Sequence, residues 1–191
     1  MNISIIVILC PIIVITIYCV IIFNNFIALK NNVKKNWSNI EVLLKQRNSE
    51  LPKLIEICKQ YMGYEQETLE KVIQARSAMI TAQENQNIPA LDKAETTMRL
   101  EVGKLFALAE NYPPLKANET FQQLQNRISN LENSISDRRE FYNESVTLNN
   151  IRIEQIPDVI IAKMFNFKFF DLLEISKNET EDVSVAKLFK K

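Results

Sequence analysis

Apolar side chains along most of this chain recur at alternating steps of three and four residues. Val33, Trp37, Ile40, Leu44, Leu51, Leu54, Cys58 and Tyr61 form one such stripe, with Arg47 the polar residue at a stripe position. That period belongs to a helix packed on near-parallel or antiparallel neighbours. The stripe stays in phase through Pro52, so the spacing predicts one long helix over roughly 26–62. A bend is expected where proline removes a backbone hydrogen bond. Gly63 is placed to leave that helix in a left-handed conformation. A second helix is predicted over 65–85. After "NQNIP" a third runs over 89–110, opened by Pro89 and carrying Leu91, Ala94, Met98, Val102, Leu105 and Leu108 on one face. Gly103 in its interior suits a close helix contact. "NYPPLKANE" reads as a loop, because Pro113 and Pro114 cannot continue a helix. A fourth helix is predicted over 119–156 with Asn118 as N-cap, its stripe beginning Phe121, Leu124, Ile128, Leu131 and Ile135.

Four helices joined by three short connections make an all-α fold, an antiparallel up-and-down four-helix bundle of long helices. A self-associating coiled coil is the competing use of the same period, and the short breaks argue for folding back instead.

The pattern changes at the N-terminus. Residues Ile3 to Phe23 are apolar apart from Ser4, Pro11, Thr16 and Tyr18. At about 1.5 Å per residue they reach roughly 30 Å, the thickness of a bilayer's hydrocarbon core. A cleaved signal peptide would carry basic residues before the apolar run and small residues at its end, and neither is present. The expected reading is a retained single-pass transmembrane helix. Lys30, Lys34 and Lys35 follow it, so the positive-inside tendency places the following domain in the cytoplasm. The chain thus divides into an anchor (1–25), a helical domain (26–175) and a polar tail (176–191) that reads as a mobile end.

Composition narrows the chemistry. Of 191 residues, 23 are Lys or Arg and 23 are Asp or Glu, so no net charge draws nucleic acid. Two glycines leave no room for a Gly-rich phosphate loop. Histidine is absent, which removes Ser-His-Asp and Cys-His pairs, an imidazole base, and the Glu-x-x-His motif of di-iron bundles. Three cysteines, two of them in the apolar run, make neither a disulfide framework nor a zinc site. No catalytic, cofactor or metal residues are expected, and Cys58 reads as a small buried apolar group.

One stretch breaks the stripe's character. From "ISDRREFYNESVTLNNIRI", Arg139, Tyr142, Asn143, Val146 and Asn150 share one helix face where apolar residues are due. The first helix faces this half with Trp37, Ser38 and Glu41. A hydrogen-bonded network is expected, joining Arg139 to Glu41 or to a carboxylate of a third helix, with Tyr142 and Asn143 completing it and Arg76 a further candidate. Its bland role is to fix helix register; a polar groove for a ligand or peptide is the alternative. The tail "IPDVIIAKMFNFKFFDLL" should lie at the membrane-proximal end, either closing the bundle or touching the lipid interface with help from Lys163 and Lys168.

"NWSNIEVLLKQRNSELPKLIE", "ETLEKVIQARS", "ENYPPLKANETFQQLQ" and "ENSISDRREFYNESVTLNN" together resemble the LemA family over nearly the whole chain. The resemblance places the family's recurrent positions on Trp37, Ser38, Arg47, Pro52, Ala75, Arg76, Glu110, Tyr112, Pro113, Leu115, Lys116, Ala117, Asn118, Glu132, Asn133, Arg139, Tyr142, Asn143 and Asn150. Glu41, Tyr64, Asn149 and Asn166 depart from the family pattern, where Asp, His, Tyr and Gly are expected. The resemblance implies a bacterial membrane protein with one N-terminal span, a helical domain and no established enzymatic activity. It also implies gene neighbours encoding membrane zinc metalloproteases. The expected function is a non-enzymatic scaffold at the inner membrane, held by the bilayer through residues 3–23 and meeting a membrane-protein partner. A ligand-sensing module is the alternative, and catalysis by carboxylates a distant third.

Overall fold

The computed structural model describes residues 3–85 and 87–173; the expected polar tail, 176–191, lies outside the described residues. Among the described residues all regular structure is α-helical: α1 (Ile3–Tyr61), α2 (Gln66–Glu84), α3 (Ile88–Ala109), α4 (Pro113–Lys116), α5 (Glu119–Glu154) and α6 (Asp158–Met164).

The apolar run and the first domain helix are one continuous helix of 59 residues, unbroken at 25/26 and at Pro52. Its neighbours begin where the sequence places capping groups. The Asn87 side chain accepts a hydrogen bond from the Ala90 amide at 3.0 Å, with Pro89 in the first turn of α3. The Asn118 side chain accepts one from the Phe121 amide at 3.0 Å to open α5, and its own amide donates to the Tyr61 hydroxyl at 3.2 Å. Each satisfies a donor that the first helical turn leaves without a partner.

Three expectations are corrected. The segment around Pro113 is not purely a loop but contains the one-turn helix α4, since proline's fixed φ suits a helix start. The tail, for which the spacing predicts no element, forms α6 before it becomes irregular. Gly63 does not take a left-handed conformation, and a Cβ on Gly103 would meet nothing within 4 Å, so no neighbour uses its smallness. The described residue with positive φ is Asn166, at 54°. Asparagine is among the few L-residues that tolerate this region.

The chain forms two compact units, one from Lys45–Asn133 and the other from the part of α1 up to Leu44 with Ser134–Leu172. In the first, Leu51, Leu54, Cys58 and Met62 of α1 meet Leu69 and Val72 of α2, Met98, Val102 and Leu105 of α3, Leu115 of α4, and Phe121 and Ile128 of α5. Most are fully buried, each worth about 1.5–3 kcal/mol over exposure. These are the stripes read from the sequence.

In the other unit α1 and α5 run in opposite directions: Asn36 donates to the Phe141 carbonyl at 3.2 Å, Trp37 and Tyr142 pack with ring centroids 5.5 Å apart, and Ile153 meets Ile22 and Phe26. A smaller core of Ile22, Phe26, Ile153, Ile161 and Ala162 holds α6 against α1 and α5. Phe167 stacks on Phe26 at 4.7 Å, and Phe23 packs on Phe165 at 4.8 Å.

Candidate functional site

Two polar centres lie inside this helical protein, one in each unit. The first is built on the second half of α5, where the sequence puts polar groups into an apolar stripe. Asn150 has its side-chain amide donating to the Phe170 carbonyl at 2.9 Å while its oxygen accepts from the Phe170 amide at 3.1 Å. Such a reciprocal pair treats an amide side chain as a length of backbone. Two turns earlier Tyr142, almost fully buried, donates its hydroxyl to the Asp171 carbonyl at 3.1 Å. Burial, with Asp171 adding to it, pushes this phenol up to about 12, so it stays a donor throughout the physiological range. Asn149 is buried beside Asn150 and donates to its oxygen at 3.3 Å. The irregular segment after α6 has no helix or sheet to satisfy its backbone, and α5 side chains supply the missing partners.

The geometry places the other expected members of this network variously. Trp37 is half-buried against Tyr142, as described. Glu41, Arg139 and Asn143 are half-buried. Ser38 is exposed: it sits about 100° around α1 from Trp37 and so leaves the interior. Arg76 lies in the other unit.

The second centre was not among the expected sites. Arg47 is completely buried. Its Nη1 donates to Glu95 Oε1 at 2.9 Å and its Nη2 bonds Glu95 Oε2, a bidentate pair, while Nη2 also meets the Met79 sulfur at 3.1 Å. Glu132 Oε1 stands 4.0 Å from Nη1. One guanidinium from α1 therefore meets a side chain from each of α2, α3 and α5. The planar fork of arginine matches a carboxylate in two parallel bonds, which a lysine ammonium cannot do. Burial pushes the Glu132 carboxyl above its ordinary range, Glu95 adds to the rise, and Arg47 and Arg99 oppose it. The signal for this centre was present in the sequence: Arg47 interrupts an otherwise apolar stripe. Glu132 likewise lies between Ile128 and Ile135 at helical spacing.

Arg76 has a separate task. Pro52 has no amide proton, so the Asn48 carbonyl four residues earlier in α1 lacks its helical partner. The Arg76 Nε of α2 donates to that carbonyl at 3.2 Å. Proline and arginine form one device: the first opens a carbonyl and the second closes it. Nearby, the buried Glu50 is bridged by Lys53 and by Arg127 of α5, each at 3.2 Å.

Other groups are plainer. Cys58 is buried, and burial alone pushes its thiol up to about 11, which makes it a poor nucleophile. Glu67 and Lys71 pair on the surface of α2 at 2.6 Å, a helix-surface contact of small worth. The segment around α4 is tied down through buried Leu115 and through the Tyr112 hydroxyl, which donates to Glu65 at 3.2 Å.

Comparison with known proteins supplies the wider context. The sequence profile of the LemA family matches residues 36–186, well over half of the chain. Protein LemA of Metamycoplasma hominis is 26% identical over 166 residues, covering 86% of this chain and 74% of that protein. Magnetosome protein MamQ 1 and MamQ 2 of Paramagnetospirillum magneticum are each 21% identical over 169 residues, covering 76% of this chain. This chain spans 62% of the length of those MamQ proteins.

Proposed function

The chain belongs to the LemA family, and from that premise we propose that it is a membrane-anchored helical scaffold rather than an enzyme. The first 20 or so residues of α1 cross a bacterial inner membrane once. The remainder forms an antiparallel four-helix bundle on the cytoplasmic side and engages a membrane-protein partner, for which an integral metalloprotease is the first candidate.

The observation that carries this reading is the surface of α1. Consecutive aliphatic side chains stand about half exposed on every side of the helix, Val14 at 60% and Ile15 at 61% among them, and very little of the apolar stretch is buried against the protein. In water each forfeits about 1.5–3 kcal/mol relative to burial, a cost removed when lipid surrounds the helix. The polar side chain on this surface is also accommodated: the Thr16 hydroxyl donates to the Ile12 carbonyl at 2.8 Å, within the helix itself. Lys30, Lys34 and Lys35 beyond the stretch support the cytoplasmic side by the positive-inside tendency.

The test is protease digestion of right-side-out and inverted vesicles carrying the full chain, after an alkaline wash. The reading expects the chain to stay with the membrane and its domain to be cut only in inverted vesicles. Release by the wash removes the anchor from the account; cutting only in right-side-out vesicles reverses its orientation. In vivo crosslinking to a reproducible integral protein supports the scaffold role, and its absence across repeats counts against it.

A further inference from the structure

The tail has two faces, and only the inner one is accounted for. Ile161, Ala162 and Phe167 pack α6 and the turn after it onto Ile22, Phe23 and Phe26 of α1. Those α1 residues lie at the end of the apolar run, before the first charge at Lys30. The outer face carries Ile156 (86% exposed), Ile160 (63%) and Met164 (65%) at successive four-residue steps, followed by Phe169 (56%). Lys163 and Lys168 are exposed among them. Asp158, the acid within this stretch, is buried and paired with Arg152 of α5, so its charge is not offered to the outside. The exposed acids Glu154 and Asp171 lie beyond the stretch on either side.

We infer that this outer face, Ile156, Ile160, Met164 and Phe169 with Lys163 and Lys168, is seated in the lipid interface beside the exit of α1. The inference rests on the membrane reading of α1 and adds a second contact to it. If residues 3–23 fill the hydrocarbon core, the contacts to Ile22, Phe23 and Phe26 hold α6 within about 5 Å of its boundary along the axis. A short amphipathic element at that depth buries its apolar face among the upper acyl chains and its lysines among phosphates. The tail then works as a collar that sets how far α1 is inserted and resists its tilting. Anionic lipid is the preferred occupant, because the charges offered by the stretch itself are both positive.

The experiment uses the full chain in vesicles of phosphatidylcholine and phosphatidylglycerol, with and without brominated acyl chains, after flotation. Trp37 is kept as a constant background, since it lies about 20 Å beyond Phe23 along α1. Ile160→Trp and Met164→Trp chains should show added emission that brominated lipid quenches. A Phe141→Trp chain, substituted at a comparably exposed site beside Asn36, should show none of that quenching. Combining Ile160→Trp with Lys163→Glu and Lys168→Glu should reduce the quenching. Equal quenching at 160 and 141 in a chain that still floats overturns the collar while leaving the anchor standing. Emission that ignores bromine but shifts with the protein-to-lipid ratio assigns the face to a second copy, which also overturns it. A chain that fails to float removes both readings.

Discussion

The two polar centres solve the same problem by different means. In the unit formed by Lys45–Asn133, a full charge is buried and the fold answers with charge, Arg47 against Glu95 and Glu132. In the unit carrying the second half of α5, the buried groups are neutral, and Tyr142 and Asn150 answer the backbone of an irregular tail. The consequences differ. A buried ion pair that loses one partner strands a charge in a low-dielectric interior, whereas a neutral hydrogen bond that is lost leaves at most a dipole unpaired. The first arrangement therefore makes helix register close to all-or-none, because only one alignment brings α1, α2, α3 and α5 together at Arg47. The second permits graded behaviour, with the tail able to detach while the helices remain.

This contrast is open to direct attack by mutation, measured on the full chain in detergent by denaturant unfolding. Arg47→Met should have the largest effect, a loss of about 3–5 kcal/mol, because the buried Glu95 is left without its bidentate partner. Adding Glu95→Leu should recover a good part of that loss, and failure to recover any would mean that packing rather than charge dominates. Asn150→Ala comes next, at about 2 kcal/mol, since it strands both the amide and the carbonyl of Phe170. Its distinguishing mark should be proteolytic cutting near Phe170 at denaturant concentrations where the helices are intact.

Smaller still is Arg76→Ala, at about 1 kcal/mol through loss of the bond to the Asn48 carbonyl. In a Pro52→Ala background the helix supplies its own donor to that carbonyl, so the same change should cost measurably less; equal costs in the two backgrounds would break the pairing. The gentlest effect is in the pH profile. Glu132 is held above its ordinary value of 4.5, so the folded state binds its proton more tightly than the unfolded state does. Its contribution is fully present below that value and is lost as pH rises through the raised one. Glu132→Gln should remove this downward slope from the profile, and an unchanged slope would assign it elsewhere.

Much of the fold was legible because it depends on neighbours in sequence. The stripes of α1, α3 and α5, the Asn118 cap and the breaks at Gly63, Pro89 and Pro113 are local features, decided over one or two turns. The candidate sites were less legible. Tyr142 and Asn150 were noticed as polar intruders, but their partners turned out to be carbonyl and amide groups of Phe170 and Asp171. Backbone groups are common to every residue type and leave no trace in sequence. Arg47 was visible as a break in the stripe and still went unassigned, because an arginine in a seam can also reach its head out to solvent. Arg76 was uninterpretable until its distance from the proline-freed carbonyl was known.

By itself, then, the order of residues determined that this protein is helical, where its long helices break, and that one stretch is apolar on all sides. These follow from rotation per residue and transfer free energy, which act within a single helix. Only the tertiary structure decided which polar group carries a buried charge and which merely holds a backbone. Glu95 is 48 residues from Arg47 in sequence and Asp171 is 29 from Tyr142. The strength of each contact depends on burial and on angstroms of separation, and both arise only once distant helices have packed.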